Sequence, residues 1–313
     1  MSSAGNRFDD FRPDVAALFE AQDQALAGSS SRGGTSGDGI DPLWGLRAWA
    51  RRYATGFLIK TGLHERLIHS HLRLDWFEEF GQYWVGALGN RSIDPHEFHF
   101  LHGIYRQRLS LPGADLASLP QRQGWLDVRS VHQLFHHQYR LALHPLQARR
   151  LVRYIPRGGH VCEYGCGLAP ITTSLLRYHR HLDLRLTCAD IPHLIFHFTR
   201  WKFRALPFVR TLVIEPGGKP PLDETYDMLI CLQSFKYIPN PLAVVQDLDG
   251  CLKPGGHFVL DYVRPDGAGD EIERRGQERL AALRYLAERF QVVEGALPLD
   301  GSHVPRTVLR KSS

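Results

Sequence analysis

No apolar run in this 313-residue chain approaches the ~18 consecutive residues that a membrane span requires. The N-terminus also lacks a basic segment followed by an apolar stretch, so no membrane association is expected and the expected location is cytoplasmic. Cysteine is scarce and poorly placed for structural chemistry. Its five residues, Cys162, Cys166, Cys188, Cys231 and Cys251, are an odd number without a C-x-x-C pair, which argues against a disulfide framework and against a zinc knuckle. Cys162, Cys188 and Cys231 fall in apolar runs and read as small buried hydrophobes. Internal repeats are absent. His96, His99 and His102, and the pair His132 and His136, have helical spacing. They lack an acidic or cysteine partner at ligand spacing, so no metal is expected. Charge decides little: a net +5 with a pI near 9.0 suits an anionic partner such as RNA and equally a basic-biased enzyme.

What is present falls into three stretches. Residues 1–40 contain one amphipathic helical pattern, with Val15, Leu18 and Phe19 on a face. A glycine and serine run over 28–39 follows, which cannot bury enough apolar surface to offset its ordering entropy, so 1–40 is expected to be a flexible segment. Residues 41–145 read as an all-helical accessory region that caps the substrate. Asp41-Pro42 and Asp94-Pro95 each resemble an N-cap with proline at the first helical position. Leu43, Leu46, Ala50, Tyr53 and Phe57 share one face, as do Phe98, Leu101, Tyr105 and Leu109.

From 146 to 313 short apolar strands alternate with helices, the pattern of a parallel sheet covered on both faces. Strands are expected at 160–164, 185–189, 211–214, 228–232, 257–262, 290–294 and 306–310, and helices at 170–178, 193–206, 241–251 and 270–289. The last two strands are joined without a helix and should pair antiparallel. The stretch 196–204 interleaves bases with aromatics, as a single-strand nucleic-acid platform does. Leu194, Phe198, Trp201 and Ala205 recur at helical spacing, however, and an amphipathic helix is the simpler reading.

The chemistry concentrates after the first of these strands. Glu163-x-Gly165-x-Gly167 closes it with an acid and a glycine turn, which frees backbone N–H groups for the polar end of a cofactor. A short glycine pattern also opens nicotinamide and flavin domains. The second strand ends at Asp190, about 20 residues on, where an acid can take both hydroxyls of an adenosine ribose. A fourth strand opens on Asp227, better suited to satisfying backbone donors at the far edge than to catalysis. It is followed by Gln233-Ser234 and, after a helix, by Leu252-Lys-Pro-Gly-Gly256.

In this ordered set the chain resembles the class I S-adenosylmethionine-dependent methyltransferases, especially those acting on small molecules, over roughly residues 146–313. The resemblance implies an α/β, Rossmann-like, seven-stranded and mostly parallel sheet with an antiparallel C-terminal hairpin, preceded by the helical region, and S-adenosyl-L-methionine as cofactor. It implies that Glu163, Gly165, Cys166 and Gly167 line the methionine moiety, Asp190 binds the ribose, Ile191 packs on the adenine and Glu215 stands beside the adenine amine. Gln233 and Ser234 would sit near the amino-acid end or the methyl group, and Tyr139 and Arg140 would reach the cofactor carboxylate. Two departures stand out: Ala169 replaces a third glycine, and Tyr237 stands where relatives often carry a histidine base. Tyr237 and His193 are therefore the catalytic candidates, with His197 on the same helix as His193.

The expected reaction is methyl transfer to an O, N or C atom of a small-molecule acceptor. An RNA or protein methyltransferase and a non-catalytic binding scaffold are the alternatives, a nicotinamide dehydrogenase fits least, and a homodimer is compatible with the reading.

Overall fold

In a computed structural model the chain divides into two compact units, Asp10–His144 in one and Pro145–Ser313 with Met1–Asp9 in the other. The structure describes residues 75–89, 92, 133–134, 136–138, 141, 146–215, 218–263 and 270–312. The patterns expected over 1–57 and 94–109, together with His96, His99, His102, His132, Tyr139 and Arg140, lie outside the described residues.

In the first unit, helix α1 (Asp75–Gly86) buries Phe80, Tyr83 and Trp84, three positions that share one helical face. The Phe80 and Trp84 rings stack with centroids 5.6 Å apart. Among the described residues no helix is long and apolar enough to cross a membrane.

The second unit carries one seven-stranded sheet in the order β3-β2-β1-β4-β5-β7-β6. Its strands are β1 (His160–Tyr164), β2 (Arg185–Asp190), β3 (Val209–Val213), β4 (Tyr226–Cys231), β5 (Leu252–Tyr262), β6 (Phe290–Glu294) and β7 (Val304–Lys311). The first five run parallel, and β7 is antiparallel to both of its neighbours, β5 and β6. Every residue of β1 is buried, as a central parallel strand covered on both faces requires.

Helices α2 (Pro170–Tyr178), α3 (Leu194–Phe203), α4 (Pro241–Cys251) and α5 (Asp270–Arg289) complete the unit. A core of Leu229, Phe258 and Leu260 from the sheet meets Val245 and Leu248 of α4 and Leu283 and Leu286 of α5. Burial of each such leucine stabilises the fold by roughly 1.5–3 kcal/mol.

Helix α3 is shorter than the expected 193–206. His193 is extended, with φ −161° and ψ 165°, and serves as the N-cap, while the approach to Pro207 disfavours helical backbone at the other end. Its Phe196, Phe198 and Phe203 are buried, so these rings are not available to stack on bases. Strand β5 starts earlier than the expected 257. Leu252 pairs with Tyr226 and the next pair is Met228 with His257, so Lys253–Gly256 bulges out of the ladder, with Gly255 at φ +72°. Asp227 stabilises this amino-terminal edge of the sheet, accepting from the backbone N–H of His160 and from Lys253 Nζ, both at 2.8 Å.

The order reverses between β1 and β4, because the chain winds outward to β3 on one side and to β5 on the other. In an open α/β sheet the crevice outside the strands' carboxyl ends at such a switch point is where a ligand binds.

Candidate active site

The turn after β1 is built by competition for backbone donors. Helix α2 begins Ala169-Pro170. Alanine has no oxygen with which to cap, and Pro170 has no N–H, so Ile171 and Thr172 present the unsatisfied donors. The Glu163 carboxylate takes both, at 3.1 Å from Ile171 N and 2.9 Å from Thr172 N. Burial pushes the Glu163 carboxyl up to about 7 despite the bonds from Thr172 and Ile171, and the neighbouring Asp190 adds to the rise. Ala169 takes the left-handed backbone, φ 51°, that a glycine would have entered freely. A methyl group is thus tolerated where the third glycine was missing.

The glycine turn offers space rather than donors, which differs from the sequence expectation. Gly165 N and Cys166 N donate to the Ala189 carbonyl at 2.8 and 3.2 Å, and Gly167 N donates to Asp190 Oδ2 at 2.6 Å. Gly165 (φ +65°) lies against Ser234, where an added Cβ would come within 2.4 Å of the Ser234 Cβ. A Cβ on Gly167 (φ +53°) would meet only the Ile195 methyl, at 3.9 Å, and would otherwise stand in open space. Thr199 on α3 fixes the turn by donating to the Gly167 carbonyl at 2.6 Å. The Cys166 thiol is buried and burial pushes it well above the usual thiol range, so it is not a nucleophile.

Asp190 closes β2 at the same edge. Its Oδ1 accepts from Ile191 N at 2.7 Å, and its Oδ2 lies 3.4 Å from His193 Nε2. His193 Nδ1 accepts the Phe196 N–H at 3.3 Å, which places the ring proton of the neutral imidazole on Nε2, toward Asp190. Both nitrogens of this catalytic candidate are therefore engaged in building the site. Ile191 is partly buried against the core. Glu215 lies just past β3 and is exposed, next to Ile214, whose N–H donates to the Asp190 carbonyl at 2.8 Å. His197 is buried.

At the end of β4, Ser234 Oγ donates to the Tyr164 carbonyl at 3.3 Å and so ties the ends of β4 and β1 together. Gln233 is exposed and holds φ +59°, an uncommon backbone for a residue with a side chain. Its N–H donates to Asp261 Oδ1 at 2.6 Å. Tyr237 follows on a 3-10 turn (Phe235–Tyr237), 73% exposed, with Lys236 Nζ 4.8 Å from its ring centroid.

Two residues that the sequence reading did not single out organise this end. Arg279 on α5, 4% exposed, donates to the carbonyls of Lys236 and Ile238 and anchors the turn. Asp261, near the end of β5, holds Gln233. An acid near the carboxyl end of a strand was already the signal at Glu163 and Asp190, and it recurs at Asp261.

Among the described residues no group of three or more His, Cys, Asp and Glu side chains is placed to hold a metal ion. His136, from the histidine pair read in the sequence, packs its ring against that of His137 with centroids 5.8 Å apart.

A family model described as a methyltransferase domain matches residues 134–296, a little over half of the sequence. The chain belongs to the methyltransferase family. The residues of its site fit S-adenosylmethionine as the methyl donor. A carboxylate stands where a ribose can be received, Ile191 adds an apolar side chain beside it, and the open space at Gly167 is one a Cβ would fill.

Similar curated relatives include the ubiquinone biosynthesis O-methyltransferase of Xanthomonas axonopodis pv. citri, 24% identical over 169 residues, which are 51% of this chain and 64% of the relative. The same-named protein of Vibrio cholerae serotype O1 (strain M66-2) is 27% identical over 106 residues, 33% of this chain and 41% of the relative. The chain thus spans less than two thirds of the length of these relatives. Among solved structures, a TehB-like SAM-dependent methyltransferase from Corynebacterium glutamicum matches with a TM-score of 0.42 and 15% identity, covering 57% of this chain and 97% of that one. The pyocyanin biosynthetic protein PhzM matches with a TM-score of 0.41 and 13% identity, covering 59% and 58%.

Proposed function

We propose that this methyltransferase acts on a small organic acceptor and transfers the methyl group to a hydroxyl oxygen. The similarity to the two O-methyltransferases supports the acceptor class, because both are named for ubiquinone biosynthesis, the making of a small molecule.

Asp190 receives the ribose hydroxyls on the lone pairs left over by Gly167 and Ile191, and Ile191 packs on the adenine. Gly167 leaves room for the cofactor's chain, and Gln233 and Ser234 lie toward the methyl group. When bound, S-adenosylmethionine supplies a methyl group already activated on a sulfonium. The chain's own residues then have to align the acceptor oxygen and exclude water.

The deciding experiment incubates the purified chain with methyl-labelled cofactor and a cell extract treated with nuclease, with protease, with both or with neither. Label that stays in low-mass material after both treatments is the expected result. Label lost with nuclease overturns the reading in favour of RNA, and label lost with protease in favour of a protein acceptor. No label under any treatment would point to a binding scaffold.

A further inference from the structure

The parallel register places three acids on one face of the sheet. Glu163 pairs with Cys188 on β2 and with Ile230 on β4, and Ile230 pairs with Val259 on β5. Partners in register point to the same side, and residues two apart along a strand share that side. Asp190, two beyond Cys188, and Asp261, two beyond Val259, therefore lie on the Glu163 face at the same height near the carboxyl edge. Three strand spacings separate them, roughly 14 Å. The switch point between β1 and β4 falls midway.

Two of these carboxylates are spoken for. Glu163 caps α2 with both oxygens, and Asp190 uses both in holding the turn and Ile191. Asp261 differs. It is half-buried, its Oδ1 accepts the Gln233 N–H, and its Oδ2 has no hydrogen-bond partner among the described residues. Burial pushes the Asp261 carboxyl above its ordinary value, against the pull of the Gln233 N–H and of His303, Arg306 and Lys236. The charged and titratable groups around it are Lys236 on the turn after β4, His303 and Arg306 before and on β7, and Cys231 at the end of β4. His303 is itself held by a 2.8 Å contact between its Nδ1 and the Tyr262 carbonyl.

We propose that Asp261 is the general base for the acceptor, taking the hydroxyl proton on Oδ2 while Oδ1 keeps the Gln233 turn in place. This rests on the O-methyl transfer reading above. As the acceptor oxygen forms its new O–CH3 bond, its O–H bond breaks and the proton passes to the Asp261 carboxylate. The S–CH3 bond breaks with its electron pair left on sulfur, so the sulfonium becomes a neutral thioether. The proton on Asp261 is then released to water. A carboxylate held above its ordinary value accepts a proton more readily than an exposed one and suits a phenolic or catechol hydroxyl.

The test compares Asp261→Asn with Asp261→Ala, using 3,4-dihydroxybenzoate and catechol as acceptor probes and S-adenosylhomocysteine as a binding probe. Asparagine keeps an oxygen for the Gln233 N–H but cannot serve as a base. Both variants are expected to bind S-adenosylhomocysteine within about twofold of wild type by calorimetry and to lose kcat by about 10²-fold or more. Activity retained in Asp261→Asn and lost in Asp261→Ala would mean that the carboxylate only positions the turn, and overturns the proposal. Weakened S-adenosylhomocysteine binding in Asp261→Asn would assign the residue to the cofactor and overturns it equally.

The wild type provides a measurement that needs no folded variant. Its kcat against pH should fall on the acid side with unit slope as Asp261 protonates, and a flat profile excludes the base. A wild type that binds S-adenosylhomocysteine but methylates neither these probes nor any hydroxyl in extract overturns the transfer reading, and the proposal with it. Active wild type with active Asp261→Asn overturns the proposal alone.

Discussion

Gly165 and Ser234 occupy one space: a Cβ on the glycine would overlap the serine Cβ at 2.4 Å and its Oγ at 2.6 Å. The turn after β1 and the turn after β4 are thereby locked together at the switch point, and Ser234 completes the lock by donating to the Tyr164 carbonyl. Gly165→Ala is expected to destabilise the fold strongly. Adding Ser234→Gly should restore most of the loss and leave a residue of about 1 kcal/mol from the left-handed backbone at Gly165. Urea denaturation of the two single variants and the double variant measures this coupling, and strict additivity would contradict it.

Asp190→Ala removes the acceptor of the Gly167 and Ile191 N–H groups together with the carboxylate proposed to receive the ribose. Affinity for S-adenosylhomocysteine should fall roughly ten- to a hundredfold, the loss of a charge-assisted hydrogen bond of about 1.5–3 kcal/mol. Isothermal titration on a variant shown to be folded by circular dichroism checks this, and unchanged affinity would remove Asp190 from the cofactor site.

His193 caps α3 through Nδ1 and approaches Asp190 through Nε2, so its effect should reach turnover through binding. His193→Ala should cost about 1 kcal/mol of stability through the lost cap and weaken S-adenosylhomocysteine binding several-fold. The acid side of the pH profile should stay in place. A large fall in kcat at unchanged affinity would instead restore His193 as a participant in the chemistry.

The Glu163 carboxyl predicts a pH dependence with a definite sign. Its folded value is about 7 against an ordinary 4.5, because burial outweighs the two backbone bonds. Between these values the folded state keeps a proton that the unfolded state has lost, so stability is fully present below 4.5 and declines as pH rises through 7. The decline amounts to roughly 3 kcal/mol. Glu163→Gln cannot titrate, and the difference between wild type and variant, from urea midpoints at pH 5 to 8, should shrink or reverse along that window.

Asp249 on α4 should behave in the opposite sense. Burial alone raises its carboxyl, but the Lys311 ammonium at 2.9 Å and the Tyr285 hydroxyl at 2.7 Å outweigh burial and hold it below its ordinary value. Asp249→Ala leaves Lys311 with the Asp249 and Leu252 carbonyls but no anion, and should cost about 3–5 kcal/mol at neutral pH. That gap should narrow as pH falls below the ordinary aspartate range, where the wild type loses the same charge. Chemical denaturation at pH 7 and at pH 2.5 compares the two.

The sheet was legible because its signals are local. β1, β6, α2, α4 and α5 fall at the residues that periodicity, proline and turn chemistry assign. The ends that shifted did so through strand pairing at β5 and through a local cap at α3. The bulge at Lys253–Gly256 lets β5 begin at Leu252, and the His193 cap trims α3. The glycine turn and Asp190 could be read from their order along the chain. That the turn's N–H groups are already taken could not, because the acceptors Ala189 and Asp190 lie more than twenty residues away. Asp261 had a readable signal, an acid near the end of a strand. The significance of Oδ2 depends on Gln233, which lies 28 positions upstream and meets it only when β4 and β5 pair.

Strand β7 lies between β5 and β6 although it is made after both. On a ribosome, β1 to β4 can zip together as each parallel strand emerges. β5 then waits with one bare side until residues 304–311 are synthesised, and β6 has no partner at all before that moment. Arg306 and His303, which flank Asp261, arrive in the same short interval. Glu163 and Asp190 thus stand on paired strands before the strand that flanks Asp261 has been made, so the two sides of the switch point are completed at different times in synthesis.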